Sequence, residues 1–298
     1  MKKYRPTRYK EATPEVPVKK KNGWIYTVLI VFFALIFAVS LFFIVKDLLS
    51  ENETSETING VLSLKPVDKN GNGTNDGKTE ENDPKAIYSL GDFSAFTSVN
   101  SDTVGWFYMP CNTSSRGLPI ELPLLWKDLS DKNEQNFYLS HDFYGRKSDN
   151  GWVYISDACD GRDITKNRNL LIYGHARSYK MFGGLKNLNT DKAWQADADS
   201  HYIKISTPYE DSVWEIFSWH ETTVYDNYWQ TAFKNDAEFL EYANRVQSQD
   251  QLKCFTKFNF TKDDRIMTLS TCKTLNEDIR VAVHAKLIAS VKRETTTE

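Results

Sequence analysis

Several common functional signatures are missing from this sequence. It has no glycine-rich phosphate-binding loop, no closely spaced cysteine pairs of the zinc-binding kind, and no internal repeat. It also lacks an excess of positive charge, since 37 Lys and Arg residues stand against 40 Asp and Glu residues, for a net charge of −3. These absences argue against a nucleotide-binding enzyme, a structural-zinc protein, a repeat protein and a strongly basic nucleic-acid-binding protein.

One long hydrophobic run stands near the N-terminus. Residues 24–45 form 22 consecutive uncharged positions, about the length that a helix needs to cross the hydrocarbon layer. Eight basic and two acidic residues precede this run, and positive flanks stay in the cytoplasm. We therefore predict a single-pass cell-membrane protein with a cytoplasmic N-terminus and the remaining chain outside. A cleaved secretory signal is the alternative, but the run is long for one.

Composition divides the rest of the chain. The predicted parts are a basic cytoplasmic arm (1–23), a transmembrane anchor (24–45), a flexible extracellular stalk (46–86), one folded exterior domain (87–290) and a polar tail (291–298). The stalk is predicted because Asn, Gly, Thr, Glu and Asp dominate it and almost no aromatic residue is present to bury. About 200 residues remain for one domain, which is enough for a sizeable core.

That domain is predicted to be mainly β. Seven short segments are β-branched or aromatic and are bounded by Gly, Asp, Asn or Pro, which is typical of strands in a barrel or sandwich. They are Trp106–Met109, Gly151–Ile155, Asn169–Tyr173, Tyr202–Ile205, Ser212–Phe217, Arg265–Leu269 and Ile279–Val283. Helical spacing appears in residues 236–249, after a possible cap at Asn235 or Asp236, and more weakly in residues 90–99.

The four cysteines are candidates for two disulfides, because an exported domain with an even count invites that pairing. Cys272 stands apart from the other three, since a predicted strand delivers it to a loop. Only seven residues separate it from Arg280, which opens the next strand, so the two are expected to be neighbours on antiparallel strands. A guanidinium there either activates the thiol or holds an oxyanion, or else Arg280 is an ordinary surface charge.

His175 is the best placed of five histidines to act as an acid or base. It follows the predicted strand Asn169–Tyr173 and Gly174, the kind of strand exit where site residues occur. His141 is the competing candidate, whereas His284 is expected to be structural and His201 and His220 to be ordinary strand-edge residues.

These residues resemble the signature of sortases, the membrane-anchored cysteine transpeptidases of Gram-positive bacteria. The resemblance rests on Thr268–Cys272, on Arg280 and on Tyr173–His175 about a hundred residues upstream. Three further segments resemble class B sortases: Asn100–Trp106, Tyr138–Phe143 and Met181–Leu185. The resemblance covers residues 90–288 and leaves out the arm, the span and the stalk.

The resemblance implies an eight-stranded β-barrel with N-terminal helices and a helix inserted between the sixth and seventh strands. The helix predicted in residues 236–249 fits that insertion, and the strand missing from our count of seven is expected in residues 119–125. Two features depart from the family: the stalk is unusually long, and Cys111 and Cys159 have no role in the family pattern.

The resemblance also implies a mechanism. Cys272 attacks the threonine carbonyl of a C-terminal sorting motif, of the Asn-Pro-x-Thr-Asn or Ser-Pro-x-Thr-Gly type, on a secreted protein. His175 acts as acid and base, and Arg280 orients the peptide and holds charge on the carbonyl oxygen. An amine of peptidoglycan or of its lipid-linked precursor accepts the acyl group, and no metal, organic cofactor or nucleic acid is required.

The expected substrate-binding residues are Ser270 and Thr271, which alternatively only pair backbone, and Tyr228. Tyr228 belongs with Tyr225 and Trp229 either to an aromatic cleft wall or to the core. Three other functions stay open: a pilin-type polymerising sortase with a lysine acceptor, an idle surface-binding module, and a hydrolase in which water replaces the amine.

Overall fold

The computed structural model describes residues 23–66, 83–111, 113, 117–128, 136–273 and 278–293. The predicted cytoplasmic arm, part of the predicted stalk and the end of the polar tail lie outside the described residues. The chain separates into two compact units, Met1–Asp47 and Leu48–Glu298.

Helix α1 runs over Gly23–Leu62 and contains the hydrophobic run. Its N-terminal part is long and apolar enough to cross a membrane, a test that an N-terminal signal sequence also passes. The structure differs from the predicted flexible stalk over residues 46–62, which are helical. The polar composition conceals a stripe at helical spacing, Thr54, Thr57, Ile58 and Val61, and these four side chains are buried within the second unit, to which they belong.

The second unit is a closed eight-stranded barrel, which confirms the predicted fold. Around the barrel the strands follow the order β1-β2-β3-β4-β7-β8-β6-β5. Their bounds are β1 Thr103–Met109, β2 Ile120–Leu125, β3 Tyr154–Ile155, β4 Asn169–Tyr173, β5 Tyr202–Ser206, β6 Glu210–Thr223, β7 Ile266–Cys272 and β8 Ile279–Lys292. Strand β2 lies where the eighth strand was expected, within residues 119–125.

Short helices connect the strands. They are α2 Ser94–Thr97, α3 Lys192–Ala196 and α4 Asp236–Ser248, with 3₁₀ turns at Phe137–Leu139, Ile164–Lys166, Phe182–Asn187 and Ala198–Ser200. Helix α4 lies between β6 and β7, as predicted, and the Asn235 side chain caps it by accepting a hydrogen bond from the Glu238 amide. Strand β8 continues two residues into the predicted polar tail, and Arg293 beyond it pairs with Asp211.

Two apolar clusters hold this unit together. The larger one collects the buried side chains of the barrel and its connections, including five fully buried tryptophans, Trp106, Trp152, Trp194, Trp214 and Trp219. The smaller one packs Phe239, Tyr242, Ala243 and Val246 of α4 against Phe217 of β6 and Ile266 of β7. Helix α4 therefore packs against the start of the strand that ends at Cys272.

Candidate active site

Strand pairing brings the three predicted catalytic residues to the same end of the barrel. Strands β7 and β8 are antiparallel, and their register pairs Cys272 directly with Arg280. Strands β4 and β7 are parallel and pair Tyr173 with Ser270. His175 lies two residues after Tyr173, and Cys272 lies two residues after Ser270. The two catalytic candidates therefore lie next to each other at the ends of neighbouring strands.

All six residues predicted to form the site line one cleft of about 510 Å³ at this end. The size is within the range of small-molecule and peptide pockets. The predicted residues are His175, Tyr228, Ser270, Thr271, Cys272 and Arg280, and the lining is completed by Asn136, Leu139, Tyr154, Tyr173, Gly174, Val224 and Trp229. Leu139 and Asn136 were not among the predicted site residues, and both belong to the loop before β3.

The imidazole of His175 is held by a backbone group. Its Nε2–H donates to the Leu139 carbonyl oxygen at 2.7 Å, so the lone pair of the neutral ring lies on Nδ1. Burial lowers the pKa of His175, and the positive charges of Arg177 and Arg280 lower it further, although the Leu139 hydrogen bond opposes them. At neutral pH the ring is therefore mainly uncharged and is suited to accept a proton at Nδ1.

Cys272 differs from the other cysteines in its surroundings. All four cysteines are free thiols in the structure, so neither of the two possible disulfides is formed. Burial raises the pKa of Cys159 and that of Cys254 to about 11, which keeps both as unreactive thiols. Cys272 is half-buried and is the cysteine that lines the cleft, directly opposite Arg280 in the β7–β8 register.

Tyr228 and Ser270 form a hydrogen-bonded wall beside Cys272. Their hydroxyl oxygens are 2.9 Å apart, and both residues are buried. The Tyr242 hydroxyl of α4 donates to the Tyr228 carbonyl oxygen and accepts from Asn169 Nδ2. The insertion that carries Tyr228 is thus fastened to β4, and Tyr228 serves both as cleft wall and as core.

The other aromatic and hydroxyl residues considered for substrate binding differ in their exposure and in whether they line the cleft. Trp229 lines the cleft and is 46% exposed, whereas Tyr225 is 82% exposed and its hydroxyl donates to Asp278 at 3.2 Å. Thr271 lines the cleft but is buried, on the opposite face of β7 from Ser270 and Cys272. Among the described residues, its hydroxyl has no hydrogen-bond partner.

The competing histidine lies elsewhere. His141 stacks on Phe137 with ring centroids 3.8 Å apart, and it is not among the residues that line the cleft. His284 is fully buried against Thr268, in keeping with its expected structural role. His220 is also buried, stacked on His284, and not an ordinary strand-edge residue. The described residues contain no group of three or more His, Cys, Asp or Glu side chains arranged to hold a metal ion.

A closed β-barrel with cysteine, histidine and arginine meeting in one cleft has the parts for cysteine-based acyl transfer. Comparison with known proteins agrees with this class: the family described as Sortase domain matches residues 149–288. Sortase B of Staphylococcus aureus (strain NCTC 8325 / PS 47) is 27% identical over 200 residues, covering 66% of this chain and 74% of that protein. Sortase B of Listeria monocytogenes serovar 1/2a (strain ATCC BAA-679 / EGD-e) is 29% identical over 195 residues, covering 64% and 71%.

A solved structure extends the likeness to three dimensions. The Staphylococcus aureus sortase B-substrate complex is 26% identical, superposes with a TM-score of 0.54, and is matched over 66% of this chain and 84% of that one. The sortase domain match over residues 149–288 and the two sortase B relatives support a transpeptidase of the sortase B type.

Proposed function

We propose that this transpeptidase cleaves a C-terminal sorting motif after its threonine and joins the secreted protein to a cell-wall amine through a thioester on Cys272. The observation that carries the proposal is the meeting of Cys272, His175 and Arg280 in one cleft, with the His175 ring fixed by Leu139. The relatives named sortase B, one of them solved as a substrate complex, support it.

The first half-reaction forms the acyl-enzyme. The thiol proton of Cys272 passes to Nδ1 of His175, and the thiolate sulfur attacks the threonine carbonyl carbon. When the tetrahedral intermediate collapses, the C–N bond breaks and the imidazolium returns its proton to the departing amine. The products are a Cys272 thioester and the released C-terminal fragment.

The second half-reaction reverses the proton movements. An acceptor amine attacks the thioester carbonyl, His175 takes the amine proton, and the thiolate leaves. A new amide bond forms, the imidazolium returns its proton to the Cys272 thiolate, and the enzyme regains its starting state. Water in place of the amine gives hydrolysis by the same steps.

Arg280 is proposed to orient the peptide and to stabilise the negative carbonyl oxygen of both tetrahedral intermediates. Its position directly across from Cys272 in the β7–β8 register supports this role. A guanidinium presents several donors in a fixed plane, so two can bind one oxygen or two neighbouring carbonyls, whereas lysine offers a single point charge.

Substrate recognition is assigned to the walls of the cleft. Trp229 and Val224 supply exposed or half-buried apolar surface, while Ser270 and Tyr228 supply hydroxyl groups beside the nucleophile. Burial raises the pKa of Tyr228 and raises that of Tyr173 to about 12, so both phenols stay neutral hydrogen-bonding groups. The proposed motifs are of the Asn-Pro-x-Thr-Asn or Ser-Pro-x-Thr-Gly type.

The proposed cellular setting follows from α1 and its flanking charges. The apolar part of α1 spans the cell membrane, the basic N-terminal arm stays in the cytoplasm, and the catalytic unit works outside. In that position the enzyme meets secreted proteins as they emerge, together with peptidoglycan or its lipid-linked precursor as the amine donor.

A peptide panel tests this proposal. The full chain in detergent micelles is incubated with both motif types, with scrambled peptides as controls. Each incubation is run with a cell-wall peptide amine, with a pilin-type lysine peptide, and without an acceptor amine. Products that contain the amine establish the proposed transpeptidation and identify the motif. Products of water attack alone indicate a hydrolase, joining to a pilin-type lysine alone indicates a polymerising enzyme, and no reaction with any peptide leaves the idle binding module.

A further inference from the structure

The C-terminal part of α1, residues 50–61, packs on the two loops that hold His175. We call these residues the docking segment. Ile58 and Val61 bury it in the main apolar cluster, so it is a fixed part of the catalytic unit. The polar contacts of its first turn lead directly toward the imidazole.

The first connection runs through the loop that supplies the Leu139 carbonyl. Gly151 packs beneath that carbonyl, and a Cβ added at Gly151 would lie 2.9 Å from the Leu139 oxygen. Its φ of +55° also favours glycine, so the close approach is built into the chain. Any displacement of residues 150–151 therefore moves the oxygen to which His175 is bonded.

Asn150, the neighbour of Gly151, is tied to the docking segment. Its side chain is 3% exposed, and its Nδ2 amide donates to Thr54 Oγ1 at 2.6 Å and to the carbonyl and hydroxyl oxygens of Ser50 at 3.1 Å each. The Thr54 hydroxyl in turn donates to the Ser50 carbonyl oxygen at 2.9 Å. One turn of α1 thus fixes the position of Asn150.

The second connection reaches the loop that follows His175. Ser178, three residues after the histidine, donates its hydroxyl hydrogen to Glu51 Oε1 at 3.2 Å. The same loop folds back on itself, since the Gly183 amide donates to the Ser178 carbonyl oxygen at 3.0 Å. The docking segment therefore contacts both the loop that carries the imidazole and the loop that accepts its hydrogen bond.

We propose that Thr54 and Asn150 are positioning residues for the transpeptidation step, and that the docking segment holds His175 in its reactive orientation. The proposal rests on the proposed catalytic role of His175. Neither residue lines the cleft around Cys272, so both act through Gly151 and Leu139 and not by touching the substrate. The turn that follows the hydrophobic run is then a working part of the active site.

The chain offers a matched control. Thr57 lies one turn further along the same helix and is buried like Thr54, but its hydroxyl accepts from Arg146 at 3.0 Å. Arg146 belongs to the tip of the loop, where its Nε also donates to Asp142 at 2.8 Å. Thr54→Val and Thr57→Val each remove one hydroxyl from the same helix face, but only the first change touches the connection to Leu139.

The test compares Thr54→Val, Thr54→Ser and Thr57→Val in the full chain in detergent micelles. We expect Thr54→Val to lower kcat by about three- to tenfold with KM for the peptide unchanged, because misplaced catalytic groups slow chemistry more than binding. Thr54→Ser keeps the hydroxyl and should restore most of kcat, and Thr57→Val should change it less than twofold. Equal losses of kcat in Thr54→Val and Thr57→Val would overturn the proposal.

A second measurement does not depend on turnover. The NMR titration of the His175 ring, assigned with His175→Gln, should show a pKa shifted upward in Thr54→Val. Water that reaches the loosened ring raises the pKa, and this effect outweighs the weakened Leu139 hydrogen bond because burial is the larger of the two causes. The charges that face the ring, those of Arg177, Arg280 and Asp149, are unchanged in this variant. An unchanged titration in Thr54→Val would refute the positioning role. If no peptide reacts with the unmodified enzyme, the proposed function fails separately, and the titration still decides this one.

Discussion

The hydrogen bond between Tyr228 and Ser270 should link the insertion to the strand of the nucleophile with a measurable coupling energy. The two hydroxyl oxygens are 2.9 Å apart and both residues are buried, so removing either hydroxyl leaves the other unsatisfied. Tyr228→Phe and Ser270→Ala should each lower the free energy of unfolding by about 1–2 kcal/mol. The double variant should lose less than the sum, with a coupling energy of about 1 kcal/mol, because the second substitution removes an already unpaired group.

The assay is a double-mutant cycle on the full chain in detergent micelles, with unfolding followed by tryptophan fluorescence in increasing denaturant. Tyr225→Phe is the matched control, since Tyr225 is largely exposed and its hydroxyl contacts only the surface residue Asp278 in the described structure. We expect that control to change stability by less than about 0.5 kcal/mol. Additive losses for Tyr228 and Ser270 would show that this hydrogen bond does not fasten the cleft wall, and would refute the reasoning.

Three further predictions concern the site and its surroundings. Arg280→Lys should lower kcat/KM by about 10²- to 10³-fold because the planar pair of donors is lost, and steady-state kinetics near the unmodified value would return Arg280 to an ordinary surface charge. Burial lowers the pKa of His220 to about 4, from 6.5. Between these two pH values the unfolded chain binds a proton at this ring and the folded chain does not, so up to about 3 kcal/mol of folding stability should be lost as the pH falls from 6.5 to 4. Denaturation of His220→Gln should show a weaker loss over that interval, and an identical pH dependence would contradict the assignment. In thiol alkylation at pH 7, Cys272 should react well before Cys159 and Cys254, whose pKa values are about 11, and equal rates would contradict the burial argument.

Much of the barrel is predictable because its strands carry strong local signals. Asn169–Tyr173 matches strand β4 at both ends, and the α4 helix appears where its apolar stripe predicts it. The pairing of Cys272 with Arg280 also follows from a short connection between two strands. For each of these features, residue type, spacing and chain direction independently predict the same structure.

The docking segment shows where composition misleads. Residues 46–62 are polar on average, yet four positions at helical spacing are buried and extend the helix well past the hydrophobic run. A count of polar residues therefore predicts a flexible linker, whereas the spacing of Ile58 and Val61 predicts an amphipathic helix. The periodicity was the signal that could have found it.

The partner of His175 could not be predicted in the same way. Leu139 contributes its backbone carbonyl, a group that every residue carries, so no residue type marks the role. Gly151 is only a weak sequence signal for this contact, because a glycine in a polar loop is compatible with many different close contacts. Contacts made by the backbone across a fold become visible only when the loops are placed in three dimensions.

The most direct test of the central claim is to trap the acyl-enzyme. The full chain is mixed with the reactive sorting peptide without an acceptor amine, quenched in acid, digested and mapped by mass spectrometry, with Cys272→Ala as the control. We expect an adduct ending in the motif's threonine on Cys272, absent from the control. Hydroxylamine should cleave this adduct, as it cleaves a thioester, and release the peptide as a hydroxamate. Cleavage of the peptide without that adduct, or undiminished cleavage by Cys272→Ala, would contradict the account.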